Sequence, residues 1–258
     1  MACKKSFLLY VLILVLLCNC SSPCTAAASK IHIEEVSQPN YHFNASYVFV
    51  DVMLDDIHDL QVYKNKGTIG ELAKEANAKL AINCVFWHYE YYDKHIVFNS
   101  ELLHELQTQS IRDYCVITED GEMDILLAEE IAAAADFPPA WQIWSFGPAL
   151  VHDYKAMTEF ETPFSYSVSR YAHPRTAIGY FSPNHFCFLI VAGRNDSDKG
   201  ATLEEMAKFF ELIGCKEAYN LDGGGSSHIW YNGSELGVPC DNRILTEIIY
   251  INEEALQN

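Results

Sequence analysis

The stretch YNLDGGGSSHIWY (219–231) places one carboxylate, Asp222, directly ahead of three glycines and two hydroxyls, between two runs that read as strands. Two readings stand open. In one, Asp222 closes a glycine-rich turn through an Asx-type hydrogen bond. In the other, Gly223, Gly224 and Gly225 carry no side chains so that a ligand can approach the backbone, and Asp222 at the strand end points into that space. Two alternatives fail on spacing. A GxxxxGK[ST] phosphate loop needs a lysine and a following helix, and neither is present. A GxSxG nucleophile elbow needs a glycine where His228 stands.

The charge opposite such a carboxylate comes from arginine. The chain holds five arginines, Arg112, Arg170, Arg175, Arg194 and Arg243, against a formal net charge of −18. A planar guanidinium grips a phosphate through two parallel hydrogen bonds, which a lysine cannot copy. Asn83 and Asn220 stand at strand ends, where an amide either holds a ligand or ties down backbone. His173 and His228 are open as proton donors or as structural histidines. Glu71 is either a second carboxylate or the partner of Thr68 in a capping box. The aromatic run FWHYEYY (86–92) either stacks on a ligand or packs.

No metal or cofactor is expected. Cys84, Cys115, Cys187, Cys215 and Cys240 are widely spaced without a CxxC pair, and His88 and His95 lack ligand spacing. Cys115, Cys187 and Cys215 sit in apolar surroundings and read as core thiols. One disulfide is open to this set, but its partners cannot be read from spacing.

These groups must be positioned by strands and two helices. Residues 47–56 and 78–87 read as strands, with a helix over 68–78. Residues 113–128 read as a hairpin turning at Asp120-Gly121. An extended segment over 143–153 is broken at Gly147-Pro148. Residues 175–194 read strand, turn at 182–184, strand. The strongest helix is 202–214, capped by Thr202 and Glu205 and stopped at Gly214. Strands EAYNLD and HIWY flank the glycines, Asn232-Gly233 turns, and 246–251 closes. Hairpins outnumber strand–helix–strand crossovers. The pattern predicts an α+β single domain over 29–258, with a mixed, largely antiparallel sheet and a few packed helices.

Residues 1–28 read as an export signal: Lys4-Lys5, then an unbroken apolar run from Phe7 to Leu17. Leu17-Cys18-Asn19-Cys20 resembles a lipobox, which makes Cys20 the lipidation site of an envelope lipoprotein; cleavage after Ala26 to Ala28 is the ordinary secretory alternative. A lipid would be the only membrane contact. The acidic balance argues against nucleic acid as a partner.

The segment GATLEEMAKFFELIGCKEAYNLDGGGSS (200–227) resembles the signature of the phosphodiester glycosidase family. AINCVFW (81–87), SFGPALVHD (145–153), RTAIGY (175–180), Gly193-Arg194 and Arg243 resemble further family motifs, in family order, over roughly residues 75–251. Cys84-Val85 stand where Gly-Gly is usual, which predicts a reshaped pocket wall. Ala192 stands where an aspartate is common.

The resemblance implies hydrolysis of a sugar-1-phosphodiester at the anomeric carbon, with a glycan or sugar phosphate as substrate. Asp222, Arg175 and Arg243 would be catalytic. Asn83, Arg194, Asn220, Gly223, Gly224, Gly225, Ser226 and Ser227 would bind substrate, the glycine and serine groups as a backbone nest for phosphate oxygens. The anomeric centre develops oxocarbenium character, which a carboxylate stabilises. A phosphate ester leaves more readily than a sugar alkoxide, so a second carboxylic acid is less needed. A non-catalytic glycan-binding or envelope-assembly lipoprotein on the same fold is the alternative.

Overall fold

The computed structural model describes residues 30–85, 94–160 and 170–256. The export segment, Cys20 and the aromatic run 86–92 lie outside the described residues.

Apolar runs without alternation demand cover on both faces, and three sheets and two helices supply it. The seven-stranded sheet joins β1 (Ile31–Val36), β2 (Tyr47–Met53), β13 (His185–Val191), β12 (Arg175–Ser182), β14 (Glu217–Asn220), β10 (Ala149–His152) and β11 (Lys155–Ala156), in that order. One five-stranded sheet joins β16 (Ser234–Leu236), β15 (Ile229–Tyr231), β4 (Ala78–Asn83), β17 (Leu245–Asn252) and β3 (Leu60–Gly67). The other joins β6 (Glu101–His104), β5 (Ile96–Phe98), β9 (Gln142–Trp144), β7 (Tyr114–Ile117) and β8 (Met123–Leu126). Neighbouring strands pair antiparallel throughout the described residues. The expected α+β class with largely antiparallel pairing is the one observed. The strands are divided among three sheets because the pairings are long-range, which local pattern does not encode.

The period-two geometry of a strand explains the two-sided burial. On β13, Phe186, Phe188 and Ile190 enter the central core, while Cys187, Leu189 and Val191 enter a second cluster with Met206, Ala207 and Phe210. Those three belong to α2 (Leu203–Leu212), which covers the outer face of the large sheet. Likewise α1 (Ile69–Glu75) covers β4, β15 and β17 through Ile69, Leu72 and Ala73, against Ala81, Trp230 and Ile248.

Both helices begin with a complete capping box, Thr68–Glu71 and Thr202–Glu205, and α2 stops before Gly214 at φ 86°. Glu71 Oε2 accepts from the Thr68 backbone N–H at 2.8 Å, so this carboxylate serves the helix.

Register brings several strand ends together. Arg175 at the start of β12 faces Val191 at the end of β13, and Ala177 faces Asn220 at the end of β14. In the second sheet, Asn83 at the end of β4 faces Ile248 near the start of β17. The segment 221–228 crosses from β14 of the first sheet to β15 of the second.

Candidate functional site

That crossing forms the floor of a cleft of about 350 Å³, lined by Phe146, His173, Pro174, Arg175, Arg194, Asn220 to Gly225 and Arg243. Asp222, Arg175, Arg194 and Arg243, separated by as many as 68 positions in sequence, therefore share one site.

Backbone bonds hold the crossing segment from both sheets. Asp222 N–H donates to Cys84 O at 3.2 Å, and Gly224 N–H donates to Pro174 O at 2.9 Å. Gly224 to Ser226 form a single 3₁₀ turn. Gly224 has φ 64°, a left-handed conformation that disfavours a side chain. A Cβ on Gly223 would lie 2.8 Å from Pro174 O, and one on Gly225 would lie 2.7 Å from Arg243 Nη2. The glycines are thus required by close approach of the protein itself.

The expected phosphate nest does not form. Gly223 N–H donates to Asp222 Oδ1 at 2.8 Å, Gly224 N–H is taken by Pro174, and the Ser226 and Ser227 N–H groups bond Gly223 O and Gly224 O at 3.2 Å each. The Ser226 hydroxyl bonds the Asp222 carboxylate. The Ser227 hydroxyl is buried without a hydrogen-bond partner among the described residues, away from the cleft lining. A nest needs successive unpaired N–H groups, and the N–H groups of Gly223, Gly224, Ser226 and Ser227 are spent on the fold.

Asn83 takes a different place from the one the motif implies. It is 1% exposed and does not line the cleft. Its Nδ2 donates to Asp222 O at 2.6 Å, while its Oδ1 accepts from Thr176 Oγ1 at 2.8 Å and from His228 N–H at 3.2 Å. This amide positions the Asp222 segment from beneath. His228 is also a support: buried, it bonds Glu235 through Nδ1 and Gly225 O through Nε2, the latter at 3.0 Å. Cys84 and Val85 are buried in the central core and are not among the described residues that line the cleft.

Asn220 does line the cleft. Its Nδ2 donates to Gly147 O at 2.8 Å, which fixes the orientation of the amide. Its Oδ1 is buried and has no partner among the described residues. An unpaired buried acceptor is costly, and a ligand donor would relieve it.

The arginines divide into two kinds. Arg175 is 3% exposed, and its Nε and Nη2 donate to Ala201 O and Tyr171 O at 3.1 Å each. Burial, with a smaller effect from the Arg194 charge, brings its pKa down to about 10, so it remains charged at neutral pH. Arg194 and Arg243 are exposed. Arg194 adopts φ 63°, an unusual backbone for a long side chain. Its Nη2 lies 3.3 Å from His173 Nδ1, and both Nη atoms lie 3.0 Å from the Cβ position of Gly224. The Arg243 fork lies over Gly225 in the same manner, with Asp241 Oδ2 3.5 Å from its Nη2.

Asp222 is half-buried in the same lining. Desolvation raises its pKa above the ordinary carboxylate value; the Ser226 hydroxyl, the Gly223 N–H and the charges of Arg243 and Lys94 work in the opposite direction. Lys94, buried at the edge of β5, had no signal in the sequence, since a lone lysine between aromatic and apolar residues fits no motif. Phe146 joins the lining from the SFGPALVHD segment, and His173 from two residues ahead of RTAIGY.

Among the described residues, one potential metal-ligand group exists: Asp124, His152 and Glu217, with ligand atoms within 4.8 Å of one another. Glu217 already accepts from His152 Nδ1 at 2.9 Å and from Asp153 N–H at 3.1 Å. None of the three lines the cleft.

With this geometry in view, comparison with known proteins is informative. The phosphodiester glycosidase family model matches residues 76–251, more than half of the chain. An uncharacterised protein, YomE, from the SPbeta prophage of Bacillus subtilis strain 168, is 30% identical over 183 residues. The match takes in 66% of this chain but only 27% of that relative.

Among solved structures, the zebrafish N-acetylglucosamine-1-phosphodiester alpha-N-acetylglucosaminidase catalytic domain, auto-inhibited by its pro-peptide, superposes with a TM-score of 0.65 at 19% identity. It covers 90% of this chain and 86% of that one. A hypothetical protein from Synechocystis superposes at 0.57 with 12% identity, covering 86% of this chain and 62% of that one. At these identities the two structures show a shared fold.

Proposed function

The chain belongs to the phosphodiester glycosidase family, and from that premise we propose that its cleft hydrolyses the glycosidic bond of sugar-1-phosphodiesters in envelope or capsular glycans. The observation that carries this reading is one cleft lining that holds Asp222, the exposed Arg194 and Arg243, and Asn220, whose buried amide oxygen has no partner among the described residues.

The chemistry follows from the charges. Arg194 and Arg243 hold the bridging phosphate, which is anionic throughout the reaction. The bond between C1 and the bridging oxygen breaks, and its electron pair stays on the phosphate. Asp222 faces C1 and stabilises the positive charge that develops there. Water supplies the hydroxyl that completes the sugar, and the other product is a phosphomonoester. Asn220 Oδ1 accepts from a sugar hydroxyl, and Phe146 offers an apolar face to the ring. Ser226 and Asn83 act as positioning residues, one on the carboxylate and one on the backbone that carries it.

The test is turnover of an α-sugar-1-phosphodiester by the purified chain and by Asp222→Asn. A carboxylate that acts chiefly in the transition state predicts a loss of about 10³-fold in kcat/KM. Stability should move the other way. Desolvation raises the folded pKa of Asp222, so ionising it costs folded stability once pH exceeds the unfolded value, and the neutral asparagine escapes that cost. At neutral pH Asp222→Asn should melt no lower than wild type. Unchanged turnover in the variant, or glycan binding without turnover in wild type, would move the site to the non-catalytic alternative.

The same reading puts the protein outside the cytoplasm, with residues 1–28 as a lipoprotein signal and short tether and Cys20 as lipid acceptor. Among the described residues no helix is long and apolar enough to cross a membrane. A fatty-acid probe should label wild type and leave Cys20→Ala unlabelled; equal labelling would remove the lipid assignment.

A further inference from the structure

Behind the cleft, on the far face of the large sheet, lies the one sulfur–sulfur hydrogen-bond contact among the described residues. Cys187 Sγ on β13 and Cys215 Sγ, which follows α2, are 3.7 Å apart. Both residues are fully buried.

Their backbones are held independently. Cys187 faces Gly179 on one side and Asp51 on the other in continuous ladders. Cys215 N–H donates to Phe210 O at 3.0 Å, and the following Lys216 N–H donates to Tyr180 O at 2.8 Å. Between them the sheet leaves a gap at Gly179: a Cβ there would lie 2.7 Å from Cys187 Sγ and 2.8 Å from Cys215 Sγ. Gly179 is mid-strand with an ordinary strand partner on each side, and its lack of a side chain leaves room for the sulfur pair and for the Phe210 ring, whose Cδ1 would lie 2.8 Å from the same Cβ.

We propose that Cys187 and Cys215 form a disulfide when the chain folds in an oxidising compartment, tying α2 and the entry to β14 onto β13. The contact distance is that of two unbonded sulfurs, and side-chain rotation of roughly 0.8 Å per sulfur brings them to the ~2.05 Å of a disulfide. The other cysteine beside the cleft, Cys240, turns its Sγ to Gly224 O at 3.5 Å instead.

The step is a thiol–disulfide exchange. The two thiols lose two protons and two electrons as the new S–S bond forms. A disulfide oxidant, either an oxidised dithiol protein or glutathione disulfide, takes them and leaves as two thiols. Exchange precedes the docking of α2, because the docked helix hides both sulfurs and burial raises the Cys187 thiol well above its ordinary range.

The consequence is mechanical. β13 ends next to Arg194, and β14 delivers Asn220 and Asp222. A bond that closes a loop between positions 28 apart restrains both approaches to the cleft in the unfolded and partly folded chain.

The oxidising compartment rests on the export reading of the proposed function; the pairing geometry does not, and the experiment separates them. Full-length chain from an exporting host, and chain made in a reducing cytosol, then unfolded and refolded in a glutathione disulfide–glutathione buffer, are both denatured, alkylated without reductant and digested. The expected product in both arms is a linked peptide carrying Cys187 and Cys215, two hydrogens lighter than the separate pair. Reductant should lower the wild-type Tm by more than ~3 °C and leave Cys187→Ser unmoved. A linked peptide in the glutathione arm alone supports the pairing and tells against export. Separate alkylation of both cysteines in both arms, or linkage of either to a different cysteine, overturns the proposal.

Discussion

Arg175 and Arg243 both come from motif segments and both line one cleft, yet they do opposite things with the same guanidinium. Arg175 is sunk at the start of a central strand and spends Nε and Nη2 on backbone carbonyls. Arg243 stands in the segment before β17 with 46% of its side chain exposed, its fork directed over the glycine turn. Arg194 resembles Arg243 in this respect and is set by a left-handed backbone. A residue type and a motif therefore bring a charge into the site without saying whether it serves the wall or the ligand. That division depends on whether carbonyls of distant segments reach the guanidinium first, as Ala201 and Tyr171 do for Arg175.

The comparison can be broken most directly at the exposed pair. Arg243→Lys and Arg194→Lys keep a positive charge but lose the planar fork, and each should lower kcat/KM by about 10- to 100-fold with Tm nearly unchanged. Equal kinetics in both variants would take the pair out of phosphate binding. Arg175→Lys should behave differently. A lysine cannot reproduce the two carbonyl contacts, and leaving buried acceptors unpaired costs about 2 kcal/mol, visible as a lowered Tm. If Arg175→Lys melts like wild type while Arg243→Lys does not, the assignment of wall and ligand roles is reversed.

A pH profile sharpens the same contrast. Because desolvation raises the Asp222 pKa, the carboxylate is lost on acidification earlier than an ordinary one. The acid limb of kcat/KM should therefore lie above the usual aspartate range. Arg243 holds that pKa down, so Arg243→Gln should move the limb further up. Arg175 is not among the groups acting on Asp222, and Arg175→Met should leave the limb in place. A limb unmoved by Arg243→Gln would contradict the direct coupling.

The smallest effect belongs to a clip remote from the cleft. His58 Nδ1 lies 2.6 Å from Asp56 Oδ1, and Nε2 lies 2.8 Å from Glu119 Oε2, joining the link before β3 to the β7–β8 hairpin. The hydrogen bonds to Asp56 and then Glu119 raise the His58 pKa. Hydrogen bonds from His58 contribute to lowering both carboxylates, behind the His58 backbone N–H at Asp56 and the Ser100 hydroxyl at Glu119. The histidine contribution is present below its unfolded value and fades as pH rises through the folded one. The carboxylate contributions are present above their unfolded values and fade as pH falls through the folded ones. The clip is therefore strongest between ~4.5 and ~6.5 and weakens in salt. His58→Gln should flatten the Tm–pH curve of the chain by a degree or two in low salt; an identical curve would show the clip inert.

Legibility in the sequence followed the range of the interactions. α2, with its capping box and Gly214, is local and was readable, as were the β7–β8 and β12–β13 hairpins. β3 was not, because half of LQVYKNKG is polar and exposed, and its partner β17 is almost two hundred residues away. β1, β5 and β6 are short or edge strands without strong alternation. At the site, the motifs brought Asp222, Arg194, Asn220 and Arg243 to one cleft. They did not separate Asn83, whose amide is consumed by the loop that it meets only in three dimensions, from Asn220, whose oxygen is left over. The nest expected from three glycines fails for the same reason: Pro174 and the Asp222 side chain reach the amides first.

The central claim is that the cleft breaks the bond to the sugar and leaves the phosphate ester oxygen in place. Hydrolysis of an α-sugar-1-phosphodiester in ¹⁸O-labelled water, followed by mass spectrometry of both products, tests it most directly. Attack at C1 beside Asp222 predicts the heavy oxygen in the sugar and none in the phosphomonoester. Heavy oxygen in the phosphomonoester would show attack at phosphorus and contradict the role assigned to Asp222.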